Sequence, residues 1–172
     1  VPAWDALKSY IQFGIRAPLS PLPATDAQVV AGRALFTSAN CQACHGGALW
    51  TSSRIDFTPP PDAALITAGQ LTNQLRKVDT FDATFFNEVT TNGVPSLVGS
   101  LGFVPPSLLS IGAFPNTFLH NGSVLSLPGV LDNVTHRSAG TGGVDTLSNA
   151  ADRDKVVQFL LSIDARTVPI AP

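Results

Sequence analysis

The chain contains no methionine, and only two of its 172 residues are cysteine. Without methionine, an iron or copper site in this chain has no thioether ligand. Charge is also sparse, because charged residues make up 13% of the chain and the net charge is −2. Nucleic-acid-binding proteins need a basic surface, so we expect no nucleic-acid partner.

Long apolar runs are lacking as well. No stretch reaches the length of about 20 residues that a membrane-spanning helix needs, so the sequence predicts no membrane span. The first residues show no charged-then-apolar leader, and we expect the chain to begin after any signal peptide. The length suits one domain with a core large enough to enclose a prosthetic group.

Both cysteines lie in one pentapeptide, Cys-Gln-Ala-Cys-His at residues 41–45. C-x-x-C-H is the attachment signature of c-type haem. Cys41 and Cys44 lie on one turn, where each thiol can form a thioether to a haem vinyl group, and His45 can bind the iron as its proximal ligand. The sequence therefore predicts one covalent haem c. Because this haem is attached outside the cytoplasm, we expect a periplasmic or otherwise extracytoplasmic location.

Three other interpretations of Cys41 and Cys44 are weaker. A thioredoxin-type pair expects a strand before it in a βαβ unit, whereas an amphipathic helical pattern precedes this one. A structural zinc site needs two more ligands close by, and only His120 and His136 remain, sixteen residues apart. A disulfide across three residues closes a trivial loop and adds little stability.

Short segments of helical periodicity are separated by connections rich in Gly and Pro. Together with the C-x-x-C-H motif, this texture predicts an all-α, cytochrome c-like helical domain with long irregular loops around one covalent haem. A Pro-rich connection should end the first helix, and Thr25 with Gln28 resembles a capping box for the second. The predicted helices cover 2–16, 25–37, 127–135 and 149–164, with short helical segments at 79–90 and 105–110, a loop over 50–78 and a flexible turn over 138–143.

We expect two parts in the chain. Residues 1–24 form an N-terminal helix and Pro-rich lead-in, which reads like the tail of a preceding domain. Residues 25–172 form the mono-haem cytochrome c domain.

The second axial position of the iron decides the chemistry. With no methionine present, the candidates are His120, His136, an unusual Lys, Tyr or Asn ligand, or an open site. We favour His136, because a residue between two predicted helices can approach the iron from the side opposite His45. His120 is then expected to be a buried imidazole that holds the Asn-Gly turn following it or bonds a haem propionate.

Further side chains are candidates for the haem pocket. Arginine offers two parallel donors to a carboxylate, so Arg54, Arg76 and Arg137 are candidate partners for the propionates. Aromatic side chains expected to pack around the haem are Trp50, Phe36, Phe103, Phe114 and Phe118.

Several segments together resemble a known family. They are Pro106-Ser107-Leu108, Phe118-Leu119-His120-Asn121-Gly122-Ser123, Ser126-Leu127 and Val156-Val157-Gln158-Phe159-Leu160, preceded by an approach from Thr25 to His45 that contains Gly32 and Leu35-Phe36. Over residues 25–164 the chain is similar to the C-terminal haem domain of di-haem cytochrome c peroxidases and MauG-type proteins.

The resemblance implies an all-α cytochrome c fold and a haem that passes electrons to a partner haem. The family's Met or Tyr ligand falls at Val134, which cannot bind iron, and His136 is the nearest substitute. The family's histidine at the position of His120 is generally not a ligand.

The chain has one haem motif instead of the family's two. We therefore expect electron transfer by a single six-coordinate, bis-histidine haem, in a mono-haem relative or a domain of a larger redox protein. Its partner would be a redox protein or a fused redox domain. The alternatives are a peroxidase-like enzyme with an open or weakly ligated site, and a module that senses a small gas.

Overall fold

The computed structural model describes residues 2–52, 103–114 and 117–172. Among these residues there are helices and an isolated antiparallel bridge between Phe118 and Val124, but no β-strand. The helices are α1 (Ala3–Ser9, continued by a π-helical turn over Tyr10–Gly14), α2 (Ala27–Ser38), α3 (Gln42–His45), α4 (Leu127–Asp132), α5 (Val134–Ser138) and α6 (Ala150–Ser162), with 3-10 turns at Ile111–Ala113 and Ala139–Thr141. The all-α prediction is confirmed for this part of the chain.

Helices α2 and α6 form the centre of the fold. Each begins at a side-chain cap: an Asp26 carboxylate oxygen accepts hydrogen bonds from the backbone of Gln28 and Val29, and Asn149 caps α6. The cap of α2 is therefore Asp26, one residue after the Thr25 that the capping-box pattern suggested. The two helices approach closely at Gly32, where a Cβ atom would lie 1.9 Å from the Lys155 carbonyl oxygen.

Three aromatic side chains fill the core beside this crossing. Trp50 packs edge-on against Phe36 and Phe159, with ring centroids 6.3 and 5.7 Å away, and Phe36 and Phe159 are themselves 5.3 Å apart. All three are almost completely buried. Trp50, expected against the haem, thus packs in the protein core.

The segment predicted as one helix over 127–135 is two helices. The chain leaves helical geometry at Asn133, which has an extended backbone conformation and joins α4 to α5. Residues 105–108 are not helical either, and the helical turn comes later, at Ile111–Ala113. Residues 138–143, expected to be a flexible turn, begin with the end of α5 and a 3-10 turn.

The Pro-rich lead-in is attached to the end of α6. The backbone N–H of Ser20 donates to the Asp164 carboxylate (2.8 Å), and the Ser20 hydroxyl donates to the Leu161 carbonyl (2.8 Å). A further hydrogen bond joins the Ser110 hydroxyl to the Pro18 carbonyl (2.7 Å). Helix α1, which precedes this attachment, buries none of its residues.

Within the part of the chain that the structure describes, none of the helices combines the length and the apolar character needed to cross a membrane. The predictions for residues 53–78 and 79–90 lie outside the described residues, as do Arg54 and Arg76.

Candidate functional site

The C-x-x-C-H segment forms a single helical turn immediately after α2. The backbone N–H groups of Cys44 and His45 both donate to the Cys41 carbonyl, at 3.2 and 2.9 Å. This turn brings Cys41, Cys44 and His45 together as the sequence predicted. Both thiols are half-buried and free of any disulfide.

His45 is held by a neighbouring extended segment that contains Pro105 and Pro106. Its Nδ1 lies 3.1 Å from the Pro106 carbonyl oxygen, an acceptor, so Nδ1 carries the proton and Nε2 keeps its lone pair. The segment is fixed in turn by hydrogen bonds from the Thr51 hydroxyl to Pro105 (2.6 Å) and from Leu108 N–H to Trp50 (3.2 Å). The imidazole of His45 therefore has a fixed tautomer and orientation.

His136 lies in the short helix α5, and Asn133 fixes where that helix begins. The Asn133 side-chain oxygen accepts a hydrogen bond from the backbone N–H of His136 (2.9 Å), as an N-cap does. At the other end of α5, the Ser138 hydroxyl donates to the Val134 carbonyl (2.7 Å). The backbone of His136 is thus held from both sides.

A close contact at Gly140 joins the C-x-x-C-H turn to the segment that follows α5. Asn40, directly before the C-x-x-C-H turn, donates from its amide to the Gly140 carbonyl oxygen (2.7 Å). A Cβ atom at position 140 would lie 2.4 Å from the Asn40 carbonyl oxygen. Only glycine permits this approach, and it places the start of the C-x-x-C-H turn against the 3-10 turn that follows α5.

The imidazoles of His45 and His136 come together in space. Their ring centroids are 6.3 Å apart and their planes are inclined by 71°. An imidazole nitrogen binds a metal such as zinc at about 2.0–2.1 Å and its ring centroid lies about 1.1 Å further away, so two imidazoles on opposite sides of one metal have centroids about 6–6.5 Å apart. His45 and His136 could therefore both bind one metal ion placed between them, although the separation also lies within the range of a direct ring contact.

Burial keeps both imidazoles neutral. It lowers the pKa of His45 to about 4, and the nearby His136 contributes to the same shift, which the hydrogen bond to Pro106 opposes. Burial also lowers the pKa of His136, and an interaction with the Val130 backbone opposes this shift. At neutral pH each ring therefore has a lone pair available for a metal.

The Cys41 thiol does not resemble the thiol of a redox-active cysteine. Burial, and then the proximity of Cys44, raise the pKa of the Cys41 thiol to about 12. A catalytic or disulfide-exchanging cysteine needs the opposite shift, toward the thiolate. Among the described residues, no three or more His, Cys, Asp or Glu side chains are arranged to hold a metal ion.

The other predicted site residues lie elsewhere or have other roles. His120 is exposed and stacks on Phe103, with ring centroids 3.7 Å apart and an interplanar angle of 15°, so the buried position suggested for it is wrong. Phe114, expected in the pocket, is 61% exposed, whereas Phe118 is partly buried against the core.

Arg137 is committed to the fold instead of to a propionate. Its guanidinium pairs with the Asp145 carboxylate through two hydrogen bonds of 2.9 and 2.5 Å and also donates to the carbonyls of Leu131 and Asp132. The hydrogen bond from Arg137 holds the pKa of Asp145 below its usual value. The Asp145 carboxylate and the two carbonyls therefore compensate the charge of Arg137 within the protein.

Asn133 and Pro106 are among the residues of the site that were missed from the sequence. Asn133 could have been found, since an Asn three residues before a histidine has the spacing of an N-cap. Pro106 contributes only its carbonyl, which every residue has, and no sequence pattern identifies it.

No protein-family model, curated protein or solved structure matches the chain.

Proposed function

We propose that this protein is a c-type cytochrome of cytochrome c-like fold, which transfers single electrons through one covalent haem. Cys41 and Cys44 hold the haem through thioethers, and His45 and His136 bind its iron. The observation that carries the proposal is the 6.3 Å separation of the two imidazoles, one of which belongs to the C-x-x-C-H turn.

The bound haem would supply an iron that changes reversibly between the ferric and ferrous states. The protein's part is to keep the ligands in place in both states. Pro106 fixes the orientation of His45, and Asn133 and the Gly140 contact fix the position of His136. Two held ligands favour electron transfer over peroxide chemistry, which needs an open coordination position.

The chain's resemblance to the C-terminal haem domain of di-haem peroxidases supports the same assignment. In that family the corresponding haem passes electrons to a second haem. We therefore propose a redox protein or a fused redox domain as the electron partner, and an extracytoplasmic location, where haem c is attached.

The proposal is tested by producing the chain in cells with the haem-attachment machinery. We expect a pigment that resists acid-acetone extraction and has a low-spin ferric absorption spectrum. His136→Ala should convert the spectrum to high-spin, whereas Thr135→Ala, an exposed neighbour on the same short helix, should leave it unchanged.

A colourless protein would contradict haem binding itself. A low-spin spectrum that survives His136→Ala but is lost in His120→Ala would contradict only the assignment of the second ligand. A high-spin wild-type protein that reacts with peroxide would favour the peroxidase-like alternative.

A further inference from the structure

The post-α6 segment, residues 163–172, returns to the C-x-x-C-H turn. The Ile170 carbonyl oxygen accepts a hydrogen bond from the backbone N–H of Gly47, with 2.7 Å between nitrogen and oxygen. The segment also passes directly over Gly46, where a Cβ atom would lie 2.8 Å from the Ile170 carbonyl oxygen and 3.0 Å from the Pro172 nitrogen. Its backbone therefore contacts the two residues that follow His45.

The two glycines make this contact important for His45. Glycine has more backbone freedom than any other residue, and Gly47 has a φ of +82°, in the left-handed region. The backbone before His45 is held by the hydrogen bonds of the helical turn itself. After His45 the chain reverses, and the Trp50 N–H donates to the Gly47 carbonyl (3.0 Å). The post-α6 segment holds the outer side of this reversal.

Two sets of contacts hold the post-α6 segment in its turn. Close to α6, the Thr167 hydroxyl donates to the Ser162 carbonyl (3.0 Å) and accepts from the Asp164 N–H (2.9 Å). Further along, the Ile170 side chain packs against the hydrophobic core, whereas Val168 is 71% exposed. The position of the Ile170 carbonyl thus depends on the Thr167 hydroxyl and on the Ile170 side chain.

We propose that Ile170 is a positioning residue for the proximal iron ligand. The inference rests on the proposed haem function and deepens it. Pro106 holds the ring of His45, and the Ile170 carbonyl holds Gly46 and Gly47 and so the backbone that carries the ring. Outer contacts that orient a metal ligand are worth about 10–100-fold in metal affinity or activity, so a contact of this kind affects the site directly.

The same arrangement connects both central helices to the ligand. Helix α2 leads directly into the C-x-x-C-H turn, and the post-α6 segment carries the chain from the end of α6 to the other side of that turn. Because α2 and α6 cross closely at Gly32, one packed pair of helices fixes the two ends of the turn relative to each other.

Electron paramagnetic resonance of the ferric holoprotein tests the proposal, because the g values of a low-spin, bis-histidine haem depend on the mutual orientation of its two imidazole planes. Ile170→Ala removes the packing that holds the carbonyl in place, so we expect shifted and broadened g values. Val168→Ala shortens an exposed side chain of the same segment and should keep the wild-type signal.

A second pair of variants acts on the segment close to α6. Thr167→Val removes the hydroxyl and keeps the shape of the side chain, so the g values should shift in the same direction as in Ile170→Ala. Thr167→Ser keeps the hydroxyl and should give the wild-type signal. This pair decides the question if Ile170→Ala fails to fold. For a high-spin wild type, we expect the same pattern in the iron–His45 stretching band of the reduced protein.

An Ile170→Ala protein that unfolds at a lower midpoint but has the wild-type g values would overturn the inference, because the segment would then stabilise the fold without orienting His45. An equal change in Val168→Ala would overturn it as well. Both outcomes leave the proposed haem function standing. A wild-type protein without bound haem would contradict that function and the inference with it.

Discussion

The first and last helices both have apolar residues at helical spacing, yet they are used in opposite ways. Helix α6 buries Val156, Val157, Phe159 and Leu160 against the core, whereas α1 buries none of its residues. Trp4 is 79% exposed and Phe159 only 1%. Apolar periodicity therefore predicts that a segment is helical, but it does not say what the helix packs against.

The boundary between these two regions lies at the Pro-rich lead-in. Pro18 and Ser20 are the first residues tied to the rest of the fold by hydrogen bonds that span more than ninety positions of sequence. Substitutions before this point should have small effects on stability, and substitutions after it should have large ones. Two pairs of substitutions and one single substitution test this difference.

The largest expected effect is on Phe159. Phe159→Ala removes a ring packed against both Phe36 and Trp50, so the free energy of unfolding should fall by about 3–5 kcal/mol. Phe13→Ala, on the exposed N-terminal segment, should change it by less than about 0.5 kcal/mol. Denaturant unfolding of each variant measures both changes. A comparable loss in the two variants would mean that the N-terminal segment is packed in solution.

Substitutions at two glycines should give the next largest difference in stability. Gly32→Ala puts a methyl group against the Lys155 carbonyl and forces α2 and α6 apart, so it should cost about 3 kcal/mol. At Gly14 a Cβ atom would meet only the ring of Tyr10, an exposed side chain that can turn away. Gly14→Ala should therefore be neutral or slightly stabilising. If Gly32→Ala unfolds at the wild-type midpoint, the close crossing of the two helices is wrong.

The smallest effect concerns Asp164, which joins the two regions. Its hydrogen bond from Arg166, together with those from the backbone of Arg166 and Ser20, lowers the pKa of its carboxyl group from 3.8 to about 2. Because the folded protein holds the carboxylate more strongly, its contribution is complete above about pH 4 and is lost as the pH falls toward 2.

We expect that contribution to be about 1–2 kcal/mol, since Arg166 is 61% exposed and its charge is screened. Asp164→Asn should lower the free energy of unfolding by this amount at pH 7 and lose less stability than the wild type between pH 4 and pH 2. Urea unfolding at several pH values provides the measurement. Parallel pH profiles for the two proteins would contradict the role given to Asp164.

Local sequence patterns predicted the helices that are later stabilised by their own caps and apolar faces. The 149–164 prediction agrees with α6, and 25–37 agrees with α2 to within about two residues. The 127–135 prediction was wrong in one respect, since Asn133 competes with the helix by hydrogen-bonding a backbone N–H and so divides it in two. Helical periodicity alone does not reveal that competition.

The candidate site was predictable only where its residues are adjacent in the chain. Cys41, Cys44 and His45 form one turn, and their spacing alone predicts this. The choice between His120 and His136 depended on which of them the fold brings to His45, and the structure places His136 there. The Pro106 carbonyl and the Gly140 contact are tertiary contacts of backbone groups, and the sequence carries no mark of either.

The contact between Asn40 and Gly140 bears on which imidazole comes to lie beside His45. Closing a loop from His45 to His136 costs only about 0.2 kcal/mol more entropy than closing the shorter one to His120. The number of residues between the histidines therefore gives almost no preference for either ring before the polypeptide has folded. Discrimination must come from the packed state, in which Gly140 lies against Asn40, His136 lies beside His45 and His120 is exposed.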